Sequence, residues 1–68
     1  MLSALFNTEY PKINNLLKAF KAEHKTDDGR LSYNGNTDTV DGDVYLVMAF
    51  IGYLYDLDEC TLISVETL

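Results

Sequence analysis

The most apolar stretch of the chain, residues 44–57, contains no charged residue before Asp56 and no proline. Its fourteen residues are an ordinary length for a helix and a long one for a strand, which favours a helix. Its valine, isoleucine, phenylalanine and tyrosine residues favour a strand instead, and the acidic residues that follow it oppose a helix dipole. We predict a helix on the basis of length, with Asp41 or Asp43 as its N-terminal cap.

A second helix is predicted nearer the N-terminus, where apolar side chains return at the spacing of one helix face. The side chains on this face are Ile13, Leu16, Leu17, Phe20 and His24. The helix is expected to begin at Thr8 or Glu9, because Pro11 is tolerated in a first turn, and to end at His24. Residues 1–6 are interpreted as a short apolar lead that docks on the core.

The segment between the two predicted helices is polar and predicts a β-hairpin. Residues 26–29 are turn formers that should end the first helix. Residues 30–33 alternate in polarity, Asn34 and Gly35 form the strongest short hairpin signal, and residues 36–40 contain enough threonine and valine to return as a strand.

The last segment, residues 60–67, predicts a short C-terminal strand because it contains the β-branched Ile63 and Val65. The expected fold is therefore a small single α+β domain over residues 1–68. It consists of an amphipathic N-terminal helix, a polar β-hairpin, an apolar central helix and the terminal strand. A chain of this size buries only about 60% of its unfolded surface, so it needs tight packing or a second chain.

The charges divide the chain into two unlike halves. All five basic residues lie within the first thirty positions, whereas seven acidic and no basic residues follow from Leu31 onward, and the net charge is −6. Such a field repels nucleic acid and lipid headgroups and attracts basic protein surfaces. The alternative explanation is that the acids only keep a small apolar protein in solution.

Catalysis is not expected, because the chain has one cysteine and one histidine and neither has a suitable neighbour. Cys60 follows Asp56, Asp58 and Glu59, which oppose a reactive thiolate, so we interpret it as a buried structural residue. His24 is interpreted as a helix-end residue. The glycines match no phosphate-binding loop, and no cofactor is expected.

Two windows deserve a test for metal ligands, and neither predicts a site. Residues 25–32 resemble the centre of an EF-hand calcium loop, but His24, Thr26 and Gly35 stand where that loop needs its first, third and last ligands. A second window brings Asp38, Asp41 and Asp43 together in sequence, although capping already explains two of them.

The location is expected to be cytoplasmic. A single cysteine is typical of a reducing compartment, and the first six residues lack the basic start of a signal peptide. The uncharged run at residues 44–55 is shorter than the roughly 20 residues that a membrane-spanning helix needs.

The function expected from these features is protein binding through acidic and tyrosine side chains, which suit a basic partner surface. The partner-binding residues are predicted to be Asp38, Asp41, Asp43, Tyr53, Tyr55, Asp56, Asp58 and Glu59. In size, charge and lack of catalytic residues the chain resembles small phage-encoded inhibitors of host defence, such as anti-CRISPR and anti-restriction proteins. That resemblance implies an inhibitor that occupies the nucleic-acid-binding surface of a partner protein.

The alternative function is a homo-oligomeric assembly module, in which a second chain, as in a homodimer, buries the apolar central helix. A helix that is apolar on every side must be buried on every side. Sixty-eight residues hardly provide that much cover alone.

Overall fold

The computed structural model describes residues 1–24 and 29–68, which form two helices and one four-stranded sheet. The α+β class predicted from the sequence is confirmed. In chain order the elements are β1 (Leu2–Phe6), α1 (Tyr10–His24), β2 (Leu31–Asn34), β3 (Thr39–Gly42), α2 (Val44–Leu57) and β4 (Leu62–Thr67).

The sheet has the strand order β2-β3-β1-β4, and every neighbouring pair is antiparallel. With the element order βαββαβ, this is the split βαβ arrangement of ferredoxin-like folds. β1 lies inside the sheet, where Ala4 is opposite Val40 of β3 and also opposite Val65 of β4. Leu2 and Phe6 of the predicted apolar lead do dock on the core, but this segment is also one of the two inner strands of the sheet, which was not predicted.

The core lies between the helices and one face of the sheet. Leu2, Ala4 and Phe6 alternate along β1 and are buried on this face. Phe50 of α2 lies above them, with its ring edge-to-face with Phe6 at 5.8 Å and with Phe20 of α1 at 5.2 Å between centroids. Such aromatic pairs stabilise beyond the area that they bury.

Both predicted helices are confirmed. α1 starts at Tyr10, one or two residues later than expected, and buries the predicted face through Ile13, Leu17 and Phe20. α2 spans the whole apolar stretch, as its length predicted, although many of its side chains favour strands. Among the described residues, neither helix is long and apolar enough to cross a membrane.

The hairpin is confirmed, but its turn differs from the expected one. Asn34 is the last residue of β2 and lies opposite Thr39, so four residues, 35–38, make the reversal. Asp38 N donates to Asn34 O at 2.8 Å, and Asp38 itself has a positive φ of 60°. β3 consequently extends to Gly42, two residues beyond the predicted strand. Most of the predicted turn at residues 26–29 lies outside the described residues.

The C-terminal strand is confirmed with a later start, since β4 begins at Leu62 rather than at Cys60. Its register against β1 shifts between Leu5 and Phe6, which places Leu62 opposite Phe6 and Ser64 opposite Leu5. Ile63 is the extra residue of this bulge. The rest of β4 is regular and forms one edge of the sheet.

Candidate protein-binding site

α2 begins and ends at acidic residues that satisfy its backbone. The Oδ1 atom of Asp43 accepts a 3.0 Å hydrogen bond from Tyr45 N, as an N-cap should. At the other end Asp58 adopts the left-handed conformation, and Asp58 N donates to Tyr55 O while Glu59 N donates to Leu54 O. This is the hydrogen-bonding pattern of a Schellman motif, with aspartate in the position that glycine usually holds.

Between these ends, α2 buries one side and exposes an apolar one. The buried residues follow the helix repeat: Leu46, Val47, Phe50, Ile51 and Leu54. The opposite side is exposed and consists of Val44, Tyr45, Met48, Gly52 and Tyr55, which we call the α2 face. Tyr45, Met48 and Tyr55 are 78%, 56% and 55% exposed. Within the described part of the chain, therefore, the predominantly apolar helix α2 is covered on one side only.

Acidic residues bound the α2 face at both ends. Asp43 precedes it, Asp56 and Asp58 follow it, and the helix contains no basic residue. A helix of this length separates its ends by about 20 Å. The acids at the C-terminal end add to the partial negative charge of the helix terminus, so that end carries the stronger negative potential.

Of the predicted tyrosines, Tyr55 lies on the α2 face and Tyr53 does not. The Tyr53 ring packs against Phe20 of α1, edge-to-face at 5.3 Å between centroids, and stacks near Phe50 at 6.3 Å. It is half-buried at the contact between the two helices. Tyr53 therefore supports the site from beneath rather than presenting its ring to a partner.

Glu59 pairs with Lys12 near the start of α1, and Asp38 lines a depression that also includes Lys12. Lys12 Nζ forms an ion pair with Glu59 Oε2 at 3.0 Å, and the hydrogen bond to Glu59 raises the pKa of Lys12. Lys12, Glu9 and Asp38 line the same shallow depression of about 590 Å³. The lysine partly neutralises Glu59, so Glu59 does not extend the negative surface of the α2 face, and Asp38 belongs to the hairpin turn rather than to α2.

Asp38 is also held by a tyrosine. Tyr33 of β2 donates a hydrogen bond from its hydroxyl to Asp38 Oδ1, and its ring packs on Tyr10 at 4.7 Å between centroids. Chiefly because of the hydrogen bond to Asp38, the pKa of Tyr33 is raised to about 12. The tyrosine thus fixes the four-residue turn that carries Asp38.

Asp41 lies on the other face of the sheet, away from both helices. It accepts hydrogen bonds from Asn34 Nδ2 at 3.0 Å and from Thr39 Oγ1 at 2.7 Å. Partial burial raises the pKa of Asp41, but hydrogen bonds from Ser3, Asn34 and Thr39 outweigh it and lower the pKa overall. The expectation that Asp41 could cap α2 is wrong, because β3 continues through it.

The two residues considered for catalysis, Cys60 and His24, have these surroundings in the structure. Cys60 is buried and free, as expected for a structural cysteine. His24 stacks on Phe20 at 4.2 Å, and its Nδ1 lies 3.1 Å from Phe20 O at the end of α1. Within residues 1–24 and 29–68, no group of three or more His, Cys, Asp or Glu side chains could hold a metal ion. The EF-hand-like window lies half outside those ranges.

The chain matches no protein-family model, no curated protein and no solved structure. The site is therefore defined by its geometry. The structure gathers four of the predicted residues on the α2 face or at its ends, namely Asp43, Tyr55, Asp56 and Asp58. Tyr53 lies on another side of α2 against α1, Glu59 pairs with Lys12, and Asp38 and Asp41 belong to the hairpin. The predicted site did not include Val44, Tyr45, Met48 or Gly52. The spacing of residues 45, 48, 52 and 55 along one helix side was the signal that could have found three of these four.

Proposed function

We propose that this protein is a non-enzymatic, acidic interaction protein that binds a basic surface of a partner protein through the α2 face. The observation that carries the proposal is an exposed apolar helix side bounded by carboxylates at both ends. We also propose that it acts in the cytoplasm, because its lone Cys60 suits a reducing compartment.

The composition of the α2 face suits a protein interface. Interfaces place aromatic and methionine side chains at the centre and polar groups at the rim. Tyr45 and Tyr55 offer large rings with a polar tip, and Met48 between them is a flexible thioether that adapts to varied surfaces. A large exposed apolar side costs free energy in water, and a partner that covers it removes that cost.

The charges decide what kind of partner fits. Asp43 at one end and Asp56 and Asp58 at the other would face arginine or lysine side chains, with which carboxylates form short, strong hydrogen bonds. Basic surfaces of this kind commonly bind nucleic acid, whose phosphates the carboxylates would replace. The proposed role is therefore inhibition of a nucleic-acid-binding protein, in the manner of small phage-encoded anti-CRISPR or anti-restriction proteins, with no direct binding to nucleic acid.

The test is capture of partners by the immobilised protein, followed by affinity measurement with each purified partner. Met48→Lys places a positive charge at the centre of the α2 face and should weaken binding at least tenfold. Ala22→Lys makes the same charge change at an exposed position of α1 and is the matched control. Binding should weaken as salt rises, and nucleic acid should compete for the partner. Equal affinities for the two variants, or partners without a basic surface, would contradict the proposal.

Self-association through the same face is a second candidate function, because one observation favours it. Tyr45, Met48, Gly52 and Tyr55 follow the three-four-three spacing of a helix-packing seam. A Cβ atom added at Gly52 would have nothing within 4 Å, so a second helix could approach closely there. If Met48→Lys converts a dimer of the wild-type protein into a monomer in sedimentation, this second function is supported.

A further inference from the structure

Among residues 1–24 and 29–68, no strand pairs with the outer edge of β4, and a bulge protects this edge only at Ile63. β4 is an outer strand of the sheet, and Ile63 and Val65 are 58% and 37% exposed. Natural edge strands are commonly blocked by lysine, proline, inward charges or bulges. β4 contains neither lysine nor proline, its one charged residue is Glu66, and its bulge at Ile63 leaves residues 64–67 regular.

The direction of each backbone group of β4 follows from one hydrogen bond. Leu68 N donates to Met1 O at 2.9 Å, so the polar groups of residue 68 point toward β1. Because these directions alternate along an antiparallel strand, the groups of Glu66 and Ser64 also point toward β1. The N–H and C=O groups of Val65 and Thr67 therefore point outward, away from the sheet.

We propose that two copies of this chain pair through their β4 strands, antiparallel and related by a two-fold axis at Val65. In this register Val65 lies opposite Val65 of the second copy, and Ile63 lies opposite its Thr67. Val65 directs its backbone groups outward, so the central Val65 pair forms two hydrogen bonds, and Thr67 of each copy offers its outward groups to residue 63 of the other. It joins the two sheets into one continuous sheet with the helices of both copies on the same side.

A second copy fits this edge because the strand is complementary to itself. Glu66 lies opposite Ser64, whose hydroxyl can donate to the carboxylate, and no two like charges meet directly. Val65 of one copy lies opposite Val65 of the other, and Ile63 lies opposite Thr67. All of these side chains are β-branched, and such side chains form favourable cross-strand pairs. The opposite edge, β2, offers only four residues and is less suited to such pairing.

The β4 pairing does not depend on the partner proposed for the α2 face. The two associations are expected to respond to salt in opposite directions. Each chain carries a net charge of −6, so two copies repel each other and their association should tighten as salt rises. Binding to a basic partner should weaken over the same range. Failure of one proposal therefore leaves the other intact.

The first experiment is sedimentation over a wide concentration range, in which the wild-type protein should approach twice 7.7 kDa. Val65→Pro removes the N–H that bonds the second copy, whereas no hydrogen bond to β1 is lost. It should weaken the dimer at least tenfold. Val65→Thr keeps the N–H and the β-branched shape and is the control that should retain the dimer. Circular dichroism shows whether each variant is folded. If Val65→Pro does not fold, Val65→Lys replaces it, because it places two like charges opposite each other in the dimer.

The second experiment tests the register by cross-linking in a Cys60→Ala background. A Val65→Cys chain should form a disulfide-linked dimer with oxidised glutathione, because paired Cα atoms about 5.5 Å apart suit a disulfide. An Ile63→Cys chain should not, because its two copies lie about 14 Å apart in this register. A monomer at all concentrations overturns the proposal. The proposal is also overturned if the Val65→Lys protein dimerises as tightly as the wild type and Val65→Cys cross-links no better than Ile63→Cys.

Discussion

Replacing Gly42 with alanine is expected to destabilise the protein strongly, because no side chain fits there. Gly42 lies at the end of β3, opposite Leu2 of β1 and Leu31 of β2. A Cβ atom on Gly42 would lie 2.2 Å from the carbonyl oxygen of Arg30 and 2.9 Å from Leu31 Cα. Both are backbone atoms, so no side-chain rotation can relieve the overlap.

The size of the effect follows from the movement that alanine would require. A carbon atom normally approaches a carbonyl oxygen to about 3.3 Å, so β2 and β3 would have to separate by about 1 Å. The same carbonyl of Arg30 accepts a 2.9 Å hydrogen bond from Asp43 N, which this movement would break. Overpacking costs about 1–3 kcal/mol, and losing one hydrogen bond between exposed residues costs about 0.5–1.5 kcal/mol. The total is a large part of the roughly 3–10 kcal/mol of unfolding free energy expected for a chain of this length.

Urea denaturation followed by circular dichroism measures the effect, and two other glycines serve as controls. A Cβ atom at Gly35 or Gly52 would have nothing within 4 Å. Gly35→Ala should therefore change the free energy of unfolding little, and Gly52→Ala should raise it by about 0.5–1 kcal/mol, because alanine favours a helix. A Gly42→Ala protein with unfolding free energy within about 1 kcal/mol of wild type would refute the reasoning.

Three further predictions concern single polar groups. In an absorbance titration one tyrosine should ionise near pH 12, and Tyr33→Phe should remove this high-pH ionisation. Because the pKa of Tyr33 is raised in the folded state, the stability that this hydrogen-bonded tyrosine contributes should be lost as pH rises from about 10 to about 12. Asp41→Ala should lower the free energy of unfolding by about 1 kcal/mol at pH 7. Since its folded-state pKa is lowered, this difference should disappear in urea denaturation as pH falls below about 4, and a difference that persists there would contradict it. Asp58→Gly should raise the midpoint of thermal unfolding, because residue 58 has a positive φ that glycine adopts without strain. The control, Asp56→Gly, lies inside α2 and should lower the midpoint. Equal shifts of the two midpoints would contradict this prediction.

The two helices could be predicted because their signals are local. The apolar face of α1 and the length of α2 are properties of consecutive residues, and Asp43 caps α2 through its own neighbour Tyr45. The α2 face was predictable in principle for the same reason, since residues three and four apart share one side of a helix.

The strands and the site were harder to predict because they depend on residues far apart in the chain. β1 has five residues, and nothing within it marks an inner strand, since that position comes from pairing with β3 and β4. Asp41 looks like a helix cap in sequence. It becomes a sheet residue because its backbone pairs with β1 opposite Ser3 and with β2 opposite Ser32, and Ser3 and Asn34 then donate hydrogen bonds to its carboxylate.

The sequence by itself therefore determined the α+β class, both helices, the hairpin, the C-terminal strand and the acidic second half of the chain. Only the tertiary structure decided which side of the apolar helix stays exposed, and that β4 forms an open edge. Periodicity shows that a helix has two sides and a strand two edges, but which of them is covered depends on what packs there. Here α1 and the sheet cover one side of α2, β1 covers one edge of β4, and the other side and edge remain in water.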